Sequence, residues 1–214
     1  MNQKKIAIVA NGDINWIKKS DLKEYSYIIG VDRAAYVLLK LGIIPNCAIG
    51  DFDSVSKGEL EEIKRQVKNV KEYPADKDKT DLELAVSIAL KQNPSEITIY
   101  GGTGRRLDHE IAALHLLHEI HKKKCQGRLC DQHNEILLID GTYRIKNSAR
   151  FGYLSVLPFS DEIVVSICGC HYPLKNHIMK RGTTLGVSNI ITSDYADIIV
   201  HKGVAYCILS KDGG

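Results

Sequence analysis

The 214-residue sequence predicts an α/β N-terminal domain with a mostly parallel sheet over residues 1–132, followed by an all-β sandwich domain over residues 133–214. Strand-like and helix-like segments alternate singly through the first domain. Short β-rich segments follow one another in the second, without helical periodicity. The composition, 44% hydrophobic and 26% charged, is that of an ordinary soluble globular protein.

The elements of the first domain come in a regular order. Buried strands are predicted at KIAIVA (5–10), YIIGV (27–31), CAIG (47–50) and EITIY (96–100), and helices at 34–41, 57–68, 82–92 and 107–124. Glycine follows the first helix, and Asn93-Pro94 ends the third. Single helices between strands favour parallel pairing, with helices on both faces of the sheet.

The second domain is predicted from six β-rich segments that Gly, Pro, Asn and Asp separate. They are EILLI, YLSVLPF, EIVVSI, TLGVSNIIT, ADIIVHKG and VAYCILS. The stretch VHKGV, residues 200–204, predicts a hairpin turn between the last two.

Composition and charge argue against several classes of protein. The net charge is only +3 and the basic residues are scattered, so no nucleic-acid footprint is expected. The apolar run at 6–10 is too short for a signal peptide, and no run approaches the ~20 residues that cross a bilayer. We therefore expect a cytoplasmic protein with reduced cysteines. A zinc site at Cys168, Cys170 and His171 is the less favoured alternative.

Aspartates follow several of the predicted strands or begin a helix. Asp32 closes YIIGV, and Asp51 and Asp53 follow CAIG. Asp81 lies in the loop that leads into the third helix, and Asp108 lies in GGTGRRLDHE, after EITIY. In parallel sheets the carboxyl ends of the strands share one edge, where ligands bind. The sequence thus predicts an acidic cleft there.

Such a cleft needs a counter-charge. Two like charges ~4 Å apart repel by about 1 kcal/mol in water and ~4 kcal/mol at an effective dielectric constant of 20. Magnesium prefers oxygen ligands and phosphate, and basic residues of the same loops (Lys77, Lys79, Arg105 and Arg106) suit phosphate oxygens. The pattern indicates metal-assisted phosphoryl chemistry.

Each motif also has a structural interpretation. Taken alone, Asp51 and Asp53 fit an Asx turn around Phe52 as well as they fit a metal site. Thr80 to Glu83 matches a capping box, which leaves Asp81 in the first helical turn. GGTGRR lacks the third glycine of a dinucleotide fingerprint and better fits a phosphate loop at a helix N-terminus.

Five motifs in order resemble the thiamine pyrophosphokinase family: GDFDSV (50–55), DKDKTDLELAV (76–86), GGTGRRLDHEIAAL (101–114), YPL (172–174) and LGVSN (185–189). The resemblance implies Mg²⁺-dependent transfer of pyrophosphate from ATP to the hydroxyethyl group of thiamine, giving thiamine diphosphate and AMP. It implies a catalytic, nucleotide-binding first domain. It also implies a second domain that binds thiamine and forms a homodimer, with the thiamine site at the subunit interface.

The resemblance also implies roles for individual residues. Asp51, Asp53 and Asp81 match the catalytic acids that bind magnesium and pyrophosphate. The ATP site matches Asp32, Thr80, Arg106 and Asp108, with Lys77 and Arg33 as further expected contacts. Ser188 and Asn189 match the thiamine-binding turn. Arg33 stands where the family often has glycine, and Arg105 is expected at the surface or against phosphate.

Two other functions fit part of the pattern. Asp51-Phe52-Asp53 could be the metal-binding DxD motif of a nucleotide-sugar glycosyltransferase, although that leaves the other motifs unexplained. A non-catalytic regulator would bind ATP and magnesium without consuming ATP, using the β domain as a sensor. From the sequence alone, Asp53→Asn is expected to abolish transfer and leave the fold intact.

Overall fold

The computed structural model describes residues 4–104 and 106–213, and the chain forms two compact units that divide between Asp131 and Gln132. In the first unit, six parallel strands make a sheet in the order β4-β3-β2-β1-β5-β6. The strands are β1 (Lys5–Val9), β2 (Tyr27–Val31), β3 (Cys47–Gly50), β4 (Val70–Glu72), β5 (Glu96–Tyr100) and β6 (Gln126–Cys130). The helices are α1 (Arg33–Lys40), α2 (Lys57–Gln66), α3 (Asp81–Leu90) and α4 (Leu107–Lys122), and Lys19–Leu22 forms a 3₁₀ turn.

The predicted parallel α/β domain is confirmed, and its central strands lie where the apolar runs placed them. Four consecutive residues of β1 and four of β2 are buried, as expected for a sheet covered on both faces. The two outer strands were not predicted. β4 has only three residues and two are exposed, and β6 carries a glycine and an arginine in five residues, so neither has a strand signal of its own.

Helix α4 packs closely on β6 because that strand carries a glycine at the contact. A Cβ atom at Gly127 would lie 3.1 Å from Leu117 Cδ2 and 3.2 Å from Ile120 Cγ2, both on α4. Leu117 and Ile120 are completely buried. The helix thereby holds the loop that precedes it at the carboxyl edge of the sheet.

The second unit consists of antiparallel strands around one apolar core, which confirms the predicted β-sandwich domain. Its strands are β7 (Asn134–Lys146), β8 (Tyr153–Pro158), β9 (Glu162–Cys168), β10 (Leu174–Lys180) and β11 (Tyr195–Ser210). They pair in the order β10-β9-β11-β7, and β8 pairs with β11. Every strand contributes buried side chains to the core, among them Ile139, Val156, Val165, Met179 and Ile198.

The predicted hairpin turn at residues 200–204 is wrong. These residues lie inside the single strand β11, which pairs with β7 on both sides of a register shift between Val200 and Ala205. Gly203 has a φ of 82°, and Gly141 on β7 has a φ of 70°. The turn-like residues therefore bend a long strand instead of reversing it. The bend lets β11 pair with β9 through its first half and with β8 through its second.

No helix within residues 4–104 and 106–213 combines the length and the apolar character that crossing a membrane requires.

We expect Leu117→Ala to lower the free energy of unfolding of the first unit by about 2–5 kcal/mol, because it leaves a cavity between α4 and β6. The matched control is Ile111→Ala on the same helix, whose side chain is 45% exposed. It should change that free energy by about 0.5 kcal/mol or less. Urea unfolding followed by fluorescence of the single tryptophan, Trp16, which lies in this unit, measures both. Equal losses in the two variants would contradict the packing described here.

Candidate functional site

A cavity of about 520 Å³ opens at the carboxyl edge of the parallel sheet. It is bounded by the ends of β1, β2, β3 and β5, by the loop that leads into α3, and by the first turns of α4. The polar residues that line it include Asn11, Asp32, Asp51, Lys77, Thr80, Asp81, Thr103, Arg106 and Glu110. Ligands bind at this edge in open parallel sheets.

Three carboxylates meet in this cavity. Asp32, Asp51 and Asp81 each offer an oxygen, and these three oxygens lie within 4.8 Å of one another. Asp32 follows β2, Asp51 follows β3, and Asp81 is the first residue of α3. Within the described residues this is the one group of three or more His, Cys, Asp or Glu side chains close enough to share a metal ion. The zinc alternative at Cys168, Cys170 and His171 is therefore not supported.

The glycine of GDFDS makes room for Asp32. A Cβ atom at Gly50 would lie 1.7 Å from Asp32 Oδ1. Asp32 itself has a φ of 48°, and its N–H donates to the Ile49 carbonyl (2.8 Å). Its carboxylate thus lies against the end of β3, beside Asp51.

GDFDS also forms the turn that was the structural interpretation of the motif. The Asp53 N–H donates to Asp51 Oδ1 (3.1 Å), which is an Asx turn, and Phe52 has a φ of 58°. Phe52 is 4% exposed and packs with Ile63 and Val67. The buried ring anchors the turn, so Asp51 faces the cavity while Asp53 is exposed and outside the three-carboxylate group.

The cluster carries unfavourable charge. Burial and the neighbouring carboxylate of Asp81 raise the pKa of Asp32 from 3.8 to about 6, and a hydrogen bond from the Phe52 N–H (3.3 Å) only partly opposes this. Lys77 Nζ forms an ion pair with Asp81 Oδ1 (3.1 Å) and also donates a hydrogen bond to the Pro74 carbonyl (3.0 Å). Asp81 Oδ1 is buried and accepts no hydrogen bond in the described part of the chain. An oxygen so placed suits a hard divalent cation.

The start of α3 is built partly as the sequence predicted. Thr80 Oγ1 caps the helix by accepting from the Glu83 N–H (3.2 Å). The Glu83 carboxylate lies 2.9 Å from Lys79 Nζ, so Glu83 forms an i,i+4 ion pair in place of the second half of the predicted capping box. This arrangement keeps Asp81 in the first turn of α3, at the positive end of the helix dipole.

The two arginines predicted at the nucleotide site are both paired with acids. Arg106 lines the cavity and forms a bidentate ion pair with Asp108, in which Nε donates to Oδ1 (3.1 Å) and Nη2 donates to Oδ2 (2.5 Å). These hydrogen bonds hold the pKa of Asp108 at about 2. Arg33 lies 3.7 Å from Glu59 on α2 and does not line the cavity. Arg105 lies outside the described residues.

Sequence reasoning missed the contribution of the first strand. Asn11 and Gly12 line the cavity just beyond β1. A Cβ atom at Gly12 would lie 2.4 Å from the carbonyl oxygens of Gly101 and Thr103, so only glycine lets this loop approach the loop after β5. The one available signal was position: Asn11-Gly12 follows a buried strand of a parallel sheet.

The predicted thiamine-binding residues lie in the second unit, in the segment before β11. Ser188 is exposed and has a φ of 58°, and its N–H donates to Ser155 Oγ (3.0 Å). Asn189 is only 7% exposed. The two neighbours thus differ in access to a ligand.

Comparison with known proteins agrees with this architecture. The model of the family described as "Thiamin pyrophosphokinase, catalytic domain" matches residues 18–129, and "Thiamin pyrophosphokinase, vitamin B1 binding domain" matches residues 142–205. The chain is similar to a thiamine pyrophosphokinase of Bacillus subtilis (strain 168), with 38% identity over 98% of this chain and 100% of the relative.

Solved structures show the same likeness. That of thiamine pyrophosphokinase from Bacillus subtilis matches with a TM-score of 0.90 and 37% identity, covering 98% of this chain and 100% of the other. A thiamin pyrophosphokinase family protein from Enterococcus faecalis matches with a TM-score of 0.89 and 30% identity, with coverage of 98% and 100%.

The family models and the relative identify the chain as a transferase, specifically a kinase, and the acidic carboxyl edge of its parallel sheet agrees with this class. The chain belongs to the thiamine pyrophosphokinase family and contains both of its domains in order. Its activity is the formation of thiamine diphosphate.

We expect Asp32→Asn to stabilise the protein above pH 6 when no divalent cation is present. The folded-state pKa of Asp32 is about 6, above its ordinary 3.8, so ionisation disfavours the folded state as the pH rises through 6. Asparagine removes that charge. The difference in Tm from the wild type should therefore be absent below roughly pH 4, grow between about pH 4 and pH 6, and keep its full size above pH 6.

Thermal unfolding in a chelator across this pH range measures the effect. Asp53→Asn is the matched control, since its exposed carboxylate lies outside the cluster. A Tm gain for Asp32→Asn that is equally large at pH 4 and pH 8 would contradict the role of charge.

Proposed function

We propose that this enzyme transfers the pyrophosphoryl group of ATP to the hydroxyethyl oxygen of thiamine, giving thiamine diphosphate and AMP, with Mg²⁺ as cofactor. The observation that carries the proposal is the group of Asp32, Asp51 and Asp81, with oxygens within 4.8 Å, in a cavity that Lys77 also lines. Such a cavity suits a ligand that brings both phosphate and a divalent cation.

The residues that would hold magnesium are Asp32, Asp51 and Asp81. Their donor atoms are all carboxylate oxygens, which fit a hard cation. Asp81 Oδ1 is buried and, among the residues described, accepts no hydrogen bond, while the Lys77 ammonium lies 3.1 Å away. When bound, the ion would neutralise charge on the phosphate oxygens. Asp53 as a magnesium ligand stays a prediction from the sequence, and the geometry favours Asp32 in its place.

ATP fits the character of the cavity. Its volume, about 520 Å³, lies within the usual range for small-molecule sites. Lys77 and Arg106 line it and would contact phosphate oxygens, and glycines of the loop before α4, Gly101 and Gly102, line it as well. Leu82 and Leu116 supply an apolar wall that suits a base.

In the proposed reaction, the thiamine hydroxyl oxygen attacks the β-phosphorus of ATP. A new O–P bond forms, the bond between the β-phosphorus and the α–β bridging oxygen breaks, and AMP departs with that oxygen. The hydroxyl proton passes to a carboxylate of the cluster. The protein mainly positions the reactants and balances charge, as in other phosphoryl transfers. Thr80 orients α3, and Asp108 holds Arg106 until phosphate arrives.

Thiamine would be bound by the second unit at Ser188 and Asn189, and we propose a homodimer with this site at the subunit interface. Leu185, Val187 and Ile190, which flank Ser188, are 58%, 47% and 45% exposed. Exposed apolar residues concentrated in one segment favour burial against a second copy of the chain. The cationic thiazolium ring of thiamine also suits an acidic cleft.

The product of the reaction tests the proposal. With ATP, Mg²⁺ and thiamine, we expect equal amounts of AMP and thiamine diphosphate, and neither product when a chelator removes the metal. Chromatography of both products measures this. ADP as the product would indicate transfer of a single phosphoryl group. Binding of ATP without turnover would favour a regulator.

Neutralising the cluster should remove activity selectively. We expect Asp51→Asn and Asp81→Asn to lower kcat by roughly 10²–10³-fold, because each loses a charge at the phosphate site. Asp53→Asn should stay within about tenfold of the wild type, since the Asx turn uses the Asp53 N–H and not its side chain.

Steady-state kinetics with Tm as a folding control compares the variants. If Asp53→Asn lost as much activity as Asp51→Asn, the sequence-based assignment of Asp53 would be right and the geometric one wrong.

A further inference from the structure

Asn189 lies in the segment proposed to bind thiamine, yet its carboxamide is already occupied within the second unit. Its Oδ1 accepts from the N–H groups of Tyr172 (3.0 Å) and Ile190 (2.9 Å), and its Nδ2 donates to the Tyr172 carbonyl (2.7 Å). Both lone pairs of Oδ1 and one of the two N–H bonds are thus used. With 7% exposure, little of the residue can reach a ligand.

The carboxamide completes a strand-like pairing that the backbone cannot make. Cys170 pairs with Ile191 in an antiparallel bridge, and the His171 N–H donates to the Ile190 carbonyl (2.8 Å). The next partner of this ladder would be the backbone of Asn189. That backbone instead pairs with Leu154 on the other side, through hydrogen bonds of 2.9 and 2.8 Å.

The side-chain amide therefore takes the place of a peptide group toward Tyr172. This substitution needs a donor and an acceptor on one short side chain. Aspartate has no donor at neutral pH, alanine has neither group, and glutamine is one methylene longer. The amide ties residues 170–172 to residues 189–191, while the backbone of Asn189 ties the same segment to β8.

The hydrogen bonds of Asn189 to Tyr172, Ile190 and Leu154, here called the clamp, also restrict Ser188, the residue before Asn189. Ser188 adopts a φ of 58°, and its N–H donates to Ser155 Oγ, so it is held from the β8 side as well. A Cβ atom at Gly186 would lie 1.9 Å from the Val156 carbonyl oxygen, which holds the start of the turn close to β8. The result is an exposed Ser188 side chain on a segment whose neighbours are bonded on both sides.

We propose that Asn189 is a positioning residue that acts through Ser188 and Tyr172, and that it does not itself bind thiamine. The proposal rests on the proposed thiamine-binding role of this segment, and it assigns direct contact to Ser188. A ligand role for Asn189 stays a prediction from the sequence, because the motif alone does not distinguish a ligand from a structural residue.

Hydrogen–deuterium exchange on the full-length protein without thiamine is the first measurement. In Asn189→Asp and Asn189→Ala, the backbone amides of residues 170–172 and 186–190 should exchange at least several-fold faster than in the wild type, because the Asn189 hydrogen bonds form before any ligand arrives. Asn189→Asp keeps the acceptor and serves if the alanine variant does not fold.

Kinetics with varied thiamine and varied ATP are the second measurement. We expect KM for thiamine to rise roughly tenfold in Asn189→Asp, while kcat at saturating thiamine and KM for ATP stay within about threefold. The matched control is Asn147→Asp, since Asn147 Nδ2 also donates to two backbone carbonyls, those of Ile191 and Ser193 (both 3.2 Å). Its KM for thiamine should stay within about twofold.

Unchanged exchange in the free Asn189 variants would overturn the proposal. With a raised KM for thiamine, that result would make Asn189 a direct ligand. A KM that rises equally in Asn147→Asp would also overturn it, because general loosening would then suffice. The exchange experiment needs no turnover. If the wild type made no thiamine diphosphate, the proposed function would be overturned, and the exchange rates would still test whether Asn189 holds this segment.

Discussion

The repulsion among Asp32, Asp51 and Asp81 is the constraint on which the site depends. The fold brings their oxygens within 4.8 Å, and burial together with the neighbouring Asp81 carboxylate raises the pKa of Asp32 to about 6, so the ionised form of Asp32 makes the free protein less stable. The parallel sheet supplies the rigidity for this, because β2 and β3 are neighbours and end at the same edge. A ligand that brings a cation relieves the repulsion, which couples binding to stability.

Backbone strain accompanies this charge. Asp32 and Phe52, with φ values of 48° and 58°, are two non-glycine residues in the left-handed region, and both lie at the cluster. Residues in such conformations persist where the surroundings over-determine them, often at functional sites. Here the buried Phe52 ring and the absent side chain of Gly50 hold the strained turn. Residues 50–53 thus contribute both to core packing, through Phe52, and to the position of the Asp51 carboxylate.

The sequence was sufficient for what depends on continuous apolar runs and on position along the chain. It predicted the four central strands, the change to antiparallel strands and the acidic edge. It could not reveal the pairing of β4 and β6, which lack strand patterns, or the bend of β11 at Gly203. It also could not choose Asp32 over Asp53 for the cluster, since that choice follows from which carboxylate faces inward once Phe52 is buried.

One turn in each unit, residues 50–53 in the first and 186–189 in the second, follows the same order of residue types but has a different role. In both turns a glycine comes first, the second residue differs, the third has a φ of 58°, and the fourth is Asp or Asn. Each glycine has no room for a Cβ atom. In the first turn the second and fourth residues are aspartates, and Asp51 faces the cavity. In the second, Asn189 is buried and must both donate and accept, which requires a neutral amide. The same order of residues therefore presents an acid to the cavity in one unit, through Asp51 at the second position, and holds a segment in place in the other, through Asn189 at the fourth position.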